Sequence, residues 1–421
     1  MLLNFTVGNY RSFYKEKSIS MLSQNLSESA KDNVANIMSH KILKSLAVYG
    51  ANSSGKSNLI KALQTMKFCV LSSVRLNTNE ELAYDPFRLI KGNSKPTMFE
   101  ATFLKDSRCY RYGFRYSRSA IEDEWLFASG GPRSKEKALF IRNKDGIGWD
   151  ERNFAEASGL ETKVNSNRLF LSVCAQLGGA VSNQVINWFQ NNMNVVSGIN
   201  NHLYSDFPKS LFLTKNDAEK RAMEMFERLG LGFNGISATI EDIATPGRLT
   251  GETDDILAQT NGQKRIKIET EHKIYNTKGT PQGTGLFLFD DMESSGTKKI
   301  FDLSGPIFTS LNNGTTLIID ELDAKMHPLI SQEIIKLFNS ATKNPNNAQL
   351  LFATHDTHLL SSKLLRRDQI WFTEKNNAEQ TDLYCLTDIV FPDGTKPRND
   401  ANYEKNYIAG RYGAIPYIIA D

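Results

Sequence analysis

Cysteine is scarce in this chain of 421 residues. The four cysteines are widely separated, at Cys69, Cys109, Cys174 and Cys385. This spacing excludes a dense disulfide framework, and it also excludes the paired cysteines of common structural zinc sites. We therefore expect a protein of a reducing compartment, the cytoplasm.

Long apolar runs and a strong net charge are also missing. No stretch approaches the roughly 20 apolar residues of a membrane-spanning helix, and residues 1–7 are too short and too polar a start for a secretory signal. The 50 Lys and Arg residues nearly balance the 47 Asp and Glu residues. The composition therefore demands neither a nucleic acid nor a membrane as partner. We expect no membrane partner and leave nucleic acid open, because basic side chains can still cluster on one face.

What the sequence does contain is an alternation of apolar strands and amphipathic helices, with no internal repeat and no sustained heptad run. The predicted strands lie at 2–10, 17–22, 42–49, 169–173, 265–270, 315–319, 349–353 and 369–372, with an antiparallel meander between 98 and 140. The predicted helices lie at 56–71, 185–189, 216–230, 296–311 and 327–338. The stretch 245–285 is rich in Gly, Thr, Asp, Asn and Gln, so we predict a loop-rich region around its one strand.

This order of elements predicts an α/β fold with a parallel, doubly wound sheet. We expect an antiparallel β subdomain and an inserted helical subdomain beside that sheet. The predicted domains are an N-terminal lobe over 1–150, an insertion over 151–290 and a C-terminal lobe over 291–421.

A glycine-rich loop stands between the strand 42–49 and the helix 56–71. Its residues are Gly50, Ala51, Asn52, Ser53, Ser54, Gly55, Lys56 and Ser57, with Asn58 directly behind. Glycines let the backbone bend around a phosphate, the loop amides point at its negative charge, and Lys56 reaches the β- and γ-phosphates as a catalytic group. Ser57 is then a Mg²⁺ ligand. The sequence predicts an ATP and Mg²⁺ site here, and a polar turn capped by serines is the alternative.

Two adjacent carboxylates, Asp320 and Glu321, end the apolar strand 315–319. This is where a metal-orienting Asp and a water-activating Glu are needed. We predict that Asp320 holds the Mg²⁺ shell and that Glu321 is the catalytic general base. The alternative is a strand end with two solvated acids.

A histidine and a small-residue turn complete the pattern. His355 follows the strand 349–353, where strand ends of open α/β sheets present ligand-contacting groups, and it is a candidate donor to the γ-phosphate. Ser294, Ser295 and Gly296 open the helix 296–311, and such a helix start can bind phosphate. A structural histidine and an ordinary helix cap are the respective alternatives.

In this order the pieces resemble the ABC-type ATPases of the SMC, RecF and OLD branch, which are P-loop NTPases. The resemblance matches 50–57 to the Walker A motif, 293–299 to the signature, 316–321 to Walker B and His355 to the switch histidine. Residues 4–13 resemble the opening strand of that branch.

Two further segments extend the resemblance. Residues 322–328 resemble the D-loop region, and Gln176 resembles the Q-loop glutamine, which implies a contact with the metal. The signature departs from the pattern of the wider superfamily, because Ser-Ser-Gly-Thr stands where Leu-Ser-Gly-Gly is usual.

More narrowly, the helical insertion and the ending 402–416 resemble bacterial AAA-family ATP-binding proteins of the RloA and AbiL abortive-infection type. That resemblance implies head-to-tail homodimers, in which the signature of one subunit completes the ATP site on the P-loop of the other. It also implies a role in phage defence beside a separate effector, such as a nuclease or an RloB-like protein.

The sequence leaves three functions open. The first is an ATP-hydrolysing regulator of a defence system, and it is favoured because the chain after His355 is too short for the Toprim nuclease of OLD proteins. The second is a DNA-repair clamp of RecF or SMC kind, against which the near-neutral charge and the missing coiled coil count. The third is a nucleotide-gated scaffold with little turnover.

Overall fold

The computed structural model describes residues 1–26, 28, 32–132, 134–199, 206–214, 217–242 and 264–416. The chain divides into two compact units. The first comprises Met1–Ile199, Asn313–Ala324 and Ser331–Asp421, and the second comprises Asn200–Asn312 and Lys325–Ile330. The boundaries 1–150, 151–290 and 291–421 stay a prediction.

The strands and helices of the described residues alternate along the chain. In chain order, the strands are β1 Leu2–Gly8, β2 Lys17–Ser20, β3 Val34–Ile37, β4 His40–Leu43, β5 Ser45–Tyr49, β6 Thr97–Lys105, β7 Arg108–Tyr116, β8 Ile121–Ser129, β9 Lys137–Asn143, β10 Gly146–Trp149, β11 Met193–Ser197, β12 Gly235–Asp242, β13 Lys264–Tyr275, β14 Pro281–Leu288, β15 Thr316–Asp320, β16 Gln349–Ala353, β17 Ile370–Lys375 and β18 Thr381–Cys385. The helices are α1 Lys56–Ser72, α2 Phe170–Gln176, α3 Ala180–Asn187, α4 Asp206–Thr214, α5 Asp217–Leu229, α6 Phe289–Met292, α7 Ser295–Asn313, α8 Pro328–Asn339 and α9 Tyr403–Ile408. Among these helices, none has the length and hydropathy needed to cross a bilayer.

A mostly parallel sheet lies at the centre of the first unit. Within the described residues its strand order is β11, β15, β16, β5, β17 and β18. Every neighbouring pair from β11 to β17 is parallel, and β18 runs antiparallel to β17. All residues of β5 and β16 are buried, as expected for strands covered on both faces. The predicted α/β fold with a parallel sheet is confirmed, and β11 is a strand that sequence analysis missed.

One predicted strand, 42–49, is in fact two. β4 pairs with β3, whereas β5 pairs with β16 and β17 in the central sheet. The break falls at Lys44, whose N–H donates to Asn33 O while its own carbonyl accepts from Leu350 N. A continuous apolar run cannot show that two parts of it serve different sheets.

The antiparallel meander is confirmed as a second sheet of the first unit. Among the described strands its order is β10, β9, β8, β7, β6, β1 and β2. Its inner face is aromatic, with the fully buried side chains Phe99, Phe103, Tyr110, Tyr112, Phe114 and Tyr116. Phe103 stacks on Trp188 with ring centroids 3.9 Å apart. Burial of each such ring contributes about 1.5–3 kcal/mol, so these aromatics form a core.

The second unit combines helices with a small sheet. The predicted helices α5 and α7 are present, and Phe226 and Phe301 meet in its core with ring centroids 6.5 Å apart. The strands β12, β13 and β14 form an antiparallel sheet, of which sequence analysis found only part of β13. The predicted strand 265–270 is part of β13, whereas the loop-rich prediction for 245–285 is wrong over the rest of β13 and over β14, where glycine and threonine hide the strand character. Residues 243–263 lie outside the described residues.

Candidate functional site

The loop between β5 and α1 has a backbone that requires glycine. The angle φ is +154° at Gly50 and +121° at Gly55, where side chains are strained. A Cβ at Gly50 would overlap Thr373 and the Ser54 hydroxyl, and a Cβ at Gly55 would overlap Thr381. The loop is thus shaped by contacts with the neighbouring strands β17 and β18 as well as by its own sequence.

Hydroxyl groups from distant parts of the chain hold this loop. Ser54 Oγ lies 2.7 Å from Thr373 Oγ1 on β17. Thr381 Oγ1 on β18 lies 2.8 Å from Ser54 O, and it also lies 2.8 Å from Ser12 Oγ. Asn58 Nδ2 donates to Ser12 Oγ at 2.8 Å. The supporting residues Ser12, Thr373 and Thr381 could not be predicted from the sequence, because nothing local marks a contact across more than 300 residues.

Lys56, the first residue of α1, is buried beneath the loop. Its Nζ donates to Gly50 O at 2.7 Å and to Ala51 O at 3.0 Å. Burial lowers the pKa of Lys56 to about 8, although the carboxylates of Asp320 and Glu321 act in the opposite direction. Burial disfavours the charged form of Lys56. An anion placed beside Nζ would stabilise that charged form and would itself be bound strongly.

Ser57 and Asp320 meet next to Lys56. Ser57 Oγ donates to Asp320 Oδ1 at 3.2 Å, which joins the start of α1 to the end of β15. Burial raises the pKa of Asp320, and the bond from Ser57 and the charges of Lys61 and Lys56 partly oppose this. No cluster of three or more His, Cys, Asp and Glu ligands occurs among the described residues. Two oxygen ligands fit an ion such as Mg²⁺, which keeps waters and takes phosphate oxygens as its other ligands.

Glu321 occupies a strained backbone position directly after β15. Its φ is +56°, and the preceding carbonyl, Asp320 O, accepts from Gly198 N at 2.5 Å. A side chain at Gly198 would collide with Glu321 O. Burial raises the pKa of Glu321, and the neighbouring charges of Asp320 and Asp323 raise it further. A carboxylate with a raised pKa is a better proton acceptor.

His355 follows β16 on the same edge of the central sheet. Its backbone N–H donates to Asp323 Oδ1 at 3.3 Å, and its side chain is exposed. Loss of hydration around the ring and the charge of Lys56 lower the pKa of His355, while Asp323 and Asp320 oppose this. The residues Lys56, Ser57, Asp320, Glu321 and His355 therefore lie together at the carboxyl ends of β5, β15 and β16.

The turn before α7 belongs to the second unit. Ser294 Oγ accepts from Thr297 N at 3.1 Å, as a helix cap does. Ser294 and Ser295 are exposed, and Gly296 is half-buried. The adjacent Glu293 is held by His272, whose Nε2 lies 2.9 Å from Glu293 Oε1. The cap and a phosphate-binding role both draw on the amides of the first turn, of which the cap takes that of Thr297.

Gln176 is the one predicted site residue whose local structure differs from expectation. The apolar segment before it is not a strand but the helix α2, and Gln176 is exposed at its end. Short apolar runs do not distinguish a buried strand from a buried helix. The amides of Phe170 and Leu171 donate to Glu124 at 2.6 and 3.0 Å, and this cap favours the helix. A metal contact of Gln176 stays a prediction that depends on the resemblance.

Solved structures with a similar course of the chain are known. The SMC head domain from Thermotoga maritima has a TM-score of 0.42 and 13% identity, over 91% of this chain and 98% of that one. The recombination mediator RecF with ATP has a TM-score of 0.33 and 10% identity, over 85% and 94%. The protein cbiO1 from Clostridium perfringens, part of an ABC transporter complex, has a TM-score of 0.31 and 11% identity, over 98% and 93%.

No curated protein matches the chain. The family assignment therefore rests on a family model, which matches residues 45–361 and so covers well over half of the chain. The matched residues include the glycine-rich loop, the turn before α7, the carboxylates after β15 and His355. The chain belongs to the family described as "AAA domain, putative AbiEii toxin, Type IV TA system".

Proposed function

We propose that the protein binds ATP with Mg²⁺ at the loop between β5 and α1 and hydrolyses it. The observation that supports this most is the convergence of Lys56, Ser57, Asp320, Glu321 and His355 at one edge of the central sheet. Strand ends at such an edge are where open α/β sheets bind ligands. Membership of an AAA-domain family agrees with nucleotide binding.

Each residue has a role that its surroundings suit. The amides from Asn52 to Ser57 and the Lys56 ammonium bind the β- and γ-phosphates. Ser57 and Asp320 hold Mg²⁺, which neutralises charge on the phosphates. Glu321 takes a proton from the attacking water, since its raised pKa makes it a stronger base. His355 donates a hydrogen bond to the γ-phosphate as its charge develops.

The turn at Ser294, Ser295 and Gly296 is proposed to act on the ATP of a second copy. Its serines are exposed, and the first turn of α7 offers amide donors to a phosphate. In this proposal the protein is a homodimer in which the loop of one subunit and the turn of the other enclose one ATP.

Mixing two inactive variants tests this shared site. Lys56→Ala disables the loop, and Gly296→Asp places a negative charge in the turn. Each variant alone should be inactive, whereas their mixture forms heterodimers with one intact site and should recover measurable ATP hydrolysis. A mixture as inactive as its parts would reject the shared site, and full activity of Gly296→Asp alone would remove the turn from it.

We propose that this ATPase regulates a separate effector in an abortive-infection system. The description of the family names a putative AbiEii toxin and a Type IV TA system, which supports the defence setting, and the separate effector rests on the resemblance to RloA- and AbiL-type proteins. The test is a plating assay with phage, in cells that carry the chain together with its neighbouring reading frame. Plating efficiency should fall with the wild type and recover with Lys56→Ala or when the neighbour is deleted. Equal plating in all three strains would reject a defence role.

A further inference from the structure

We call residues 402–416 the C-terminal segment. This segment lies beyond the part of the chain that the family model matches, and specific hydrogen bonds hold it in place. Asn402 Oδ1 accepts from Lys405 N at 2.9 Å and caps α9. Tyr407 OH donates to Ala414 O at 3.0 Å, and Tyr384 OH on β18 donates to Tyr412 O at 2.9 Å. A Cβ at Gly413 would come within 2.7 Å of Tyr384 OH. The path of the segment is thus held by Tyr407 and Tyr384, and it leaves no room for a side chain at Gly413.

One end of the segment reaches the loop that carries His355. Thr357, two residues after His355, donates from Oγ1 to Glu404 Oε1 at 3.0 Å. Asp356, which lies between His355 and Thr357 in the sequence, accepts a hydrogen bond at Oδ1 from His358 N at 3.0 Å. Glu404 therefore fixes the chain immediately after the histidine.

The other contacts of the segment reach the strand that enters the glycine-rich loop. The ring of Tyr407 lies 6.0 Å from that of Tyr49, the last residue of β5, and 5.6 Å from that of Phe372 on β17. Residues 414–416 line a cavity of about 300 Å³ together with Ala51 and Asn52 of the loop. The same short segment therefore contacts the histidine loop and the end of β5, and it lines one cavity with the glycine-rich loop.

We propose that Glu404 is a positioning residue for His355, through its hydrogen bond with Thr357, and that the C-terminal segment couples the histidine loop to the glycine-rich loop. This rests on the proposed ATPase function. Glu404 does not touch the reacting groups. It sets where the histidine stands relative to the γ-phosphate, so its loss should slow turnover and leave ATP binding unchanged.

Paired substitutions separate this role from simple stabilisation. Glu404→Ala and Thr357→Val each remove the bond, whereas Glu404→Gln and Thr357→Ser each keep an acceptor or a donor. We expect the first two to lower kcat about five- to tenfold, as loss of a hydrogen bond of ordinary strength would, with KM for ATP and Tm unchanged. The second two should retain near-normal kcat. The double variant Glu404→Ala with Thr357→Val should be no slower than either single variant.

The matched control is Glu151→Ala, at an exposed glutamate, which should change nothing. The inference is overturned if Glu404→Gln is as slow as Glu404→Ala, if kcat falls only together with Tm, or if the two losses multiply in the double variant. If the wild type binds ATP without turnover, the proposed hydrolysis fails, and the inference is then tested by NMR of histidine rings. The ring signals of His355, assigned with a His355→Gln variant, should shift in Glu404→Ala and not in Glu151→Ala, and unmoved signals would reject the inference.

Discussion

The glycine-rich loop of the first unit and the serine turn of the second unit are held in different ways. The loop is fixed by Thr373 and Thr381, which lie more than 300 residues away in the sequence. The turn is made by neighbours, such as Ser294 with Thr297, and it presents exposed serines. The difference indicates that the loop is shaped by distant strands of its own unit, whereas the turn is formed locally; in the proposed homodimer, the turn would meet its ligand on a second copy.

Removal of the Lys56 charge should weaken ATP binding at the loop more than any other change. Lys56→Met is expected to weaken ATP binding by about 10²-fold or more, since a charge-assisted contact to phosphate is lost. It should also raise the Tm of the nucleotide-free protein, because a buried ammonium with a pKa of about 8 costs up to about 3 kcal/mol relative to the exposed value.

The stability difference between the wild type and Lys56→Met should depend on pH, in a direction set by the lowered pKa of Lys56. The folded pKa of Lys56 is lowered, so the unfolded chain binds more protons between pH about 8 and 10.5. The wild type should therefore gain stability relative to Lys56→Met as pH rises through this window. Thermal melts of both proteins with and without ATP provide the measurement. An ATP-dependent rise in the Tm of Lys56→Met as large as that of the wild type at the same ATP concentration would contradict the loop assignment.

A methyl group on Gly55 should be the next most damaging change. Gly55→Ala forces a Cβ against Thr381 at a φ of +121°, so we expect about 1–3 kcal/mol of lost stability and loss of ATP binding. Gly92→Ala is the matched control, because Gly92 also has a positive φ, +72°, but nothing within 4 Å of a Cβ. Urea unfolding and ATP titration of both variants decide the point. If the two variants behave alike, the Thr381 contact does not shape the loop.

Substitution in the serine turn should leave the stability and ATP binding of the single chain unchanged and lower the turnover of the proposed homodimer. Ser295→Ala keeps the Ser294 cap, so Tm and ATP binding at low protein concentration should stay at wild-type values. Turnover at high protein concentration should fall by about tenfold, the effect of one lost donor to phosphate. A loss of ATP binding in the isolated chain would show that the turn acts within one subunit and would remove the contrast with the loop.

Residues could be predicted from the sequence where a local pattern marks them, and not where only the folded sheet brings them together. The positions of Lys56, Ser57 and Asp320 could be predicted because Asp320 ends one buried strand, Lys56 and Ser57 begin the helix that follows another, and parallel strands bring such ends together. Gln176 was placed after a strand that is a helix, since four or five apolar residues have no decisive period. Ser12, Thr373 and Thr381 were missed because their contacts arise only from the order of strands in the sheet. The small sheet of the second unit was missed where glycines interrupt its pattern.

The smallest expected effect concerns pH and turnover. The pKa of Glu321 is raised above 4.5 by burial and by Asp320 and Asp323, and a general base acts when deprotonated. Turnover should therefore rise with pH along an acid limb displaced above 4.5. kcat/KM should fall again near pH 8, where Lys56 of the free protein loses its proton. An acid limb at or below 4.5 in a pH series would contradict the surroundings assigned to Glu321.

We propose Glu321 as the base of an ATP-hydrolysing site, and the substitution Glu321→Gln tests this role. Steady-state turnover and ATP binding are measured side by side for the variant and the wild type. We predict turnover lower by about 10²–10⁴-fold, with ATP binding retained and the ATP-bound dimer accumulating in size-exclusion chromatography. Equal turnover in both proteins would contradict the assignment of Glu321, and a wild type that binds ATP without measurable turnover would favour a nucleotide-gated scaffold instead.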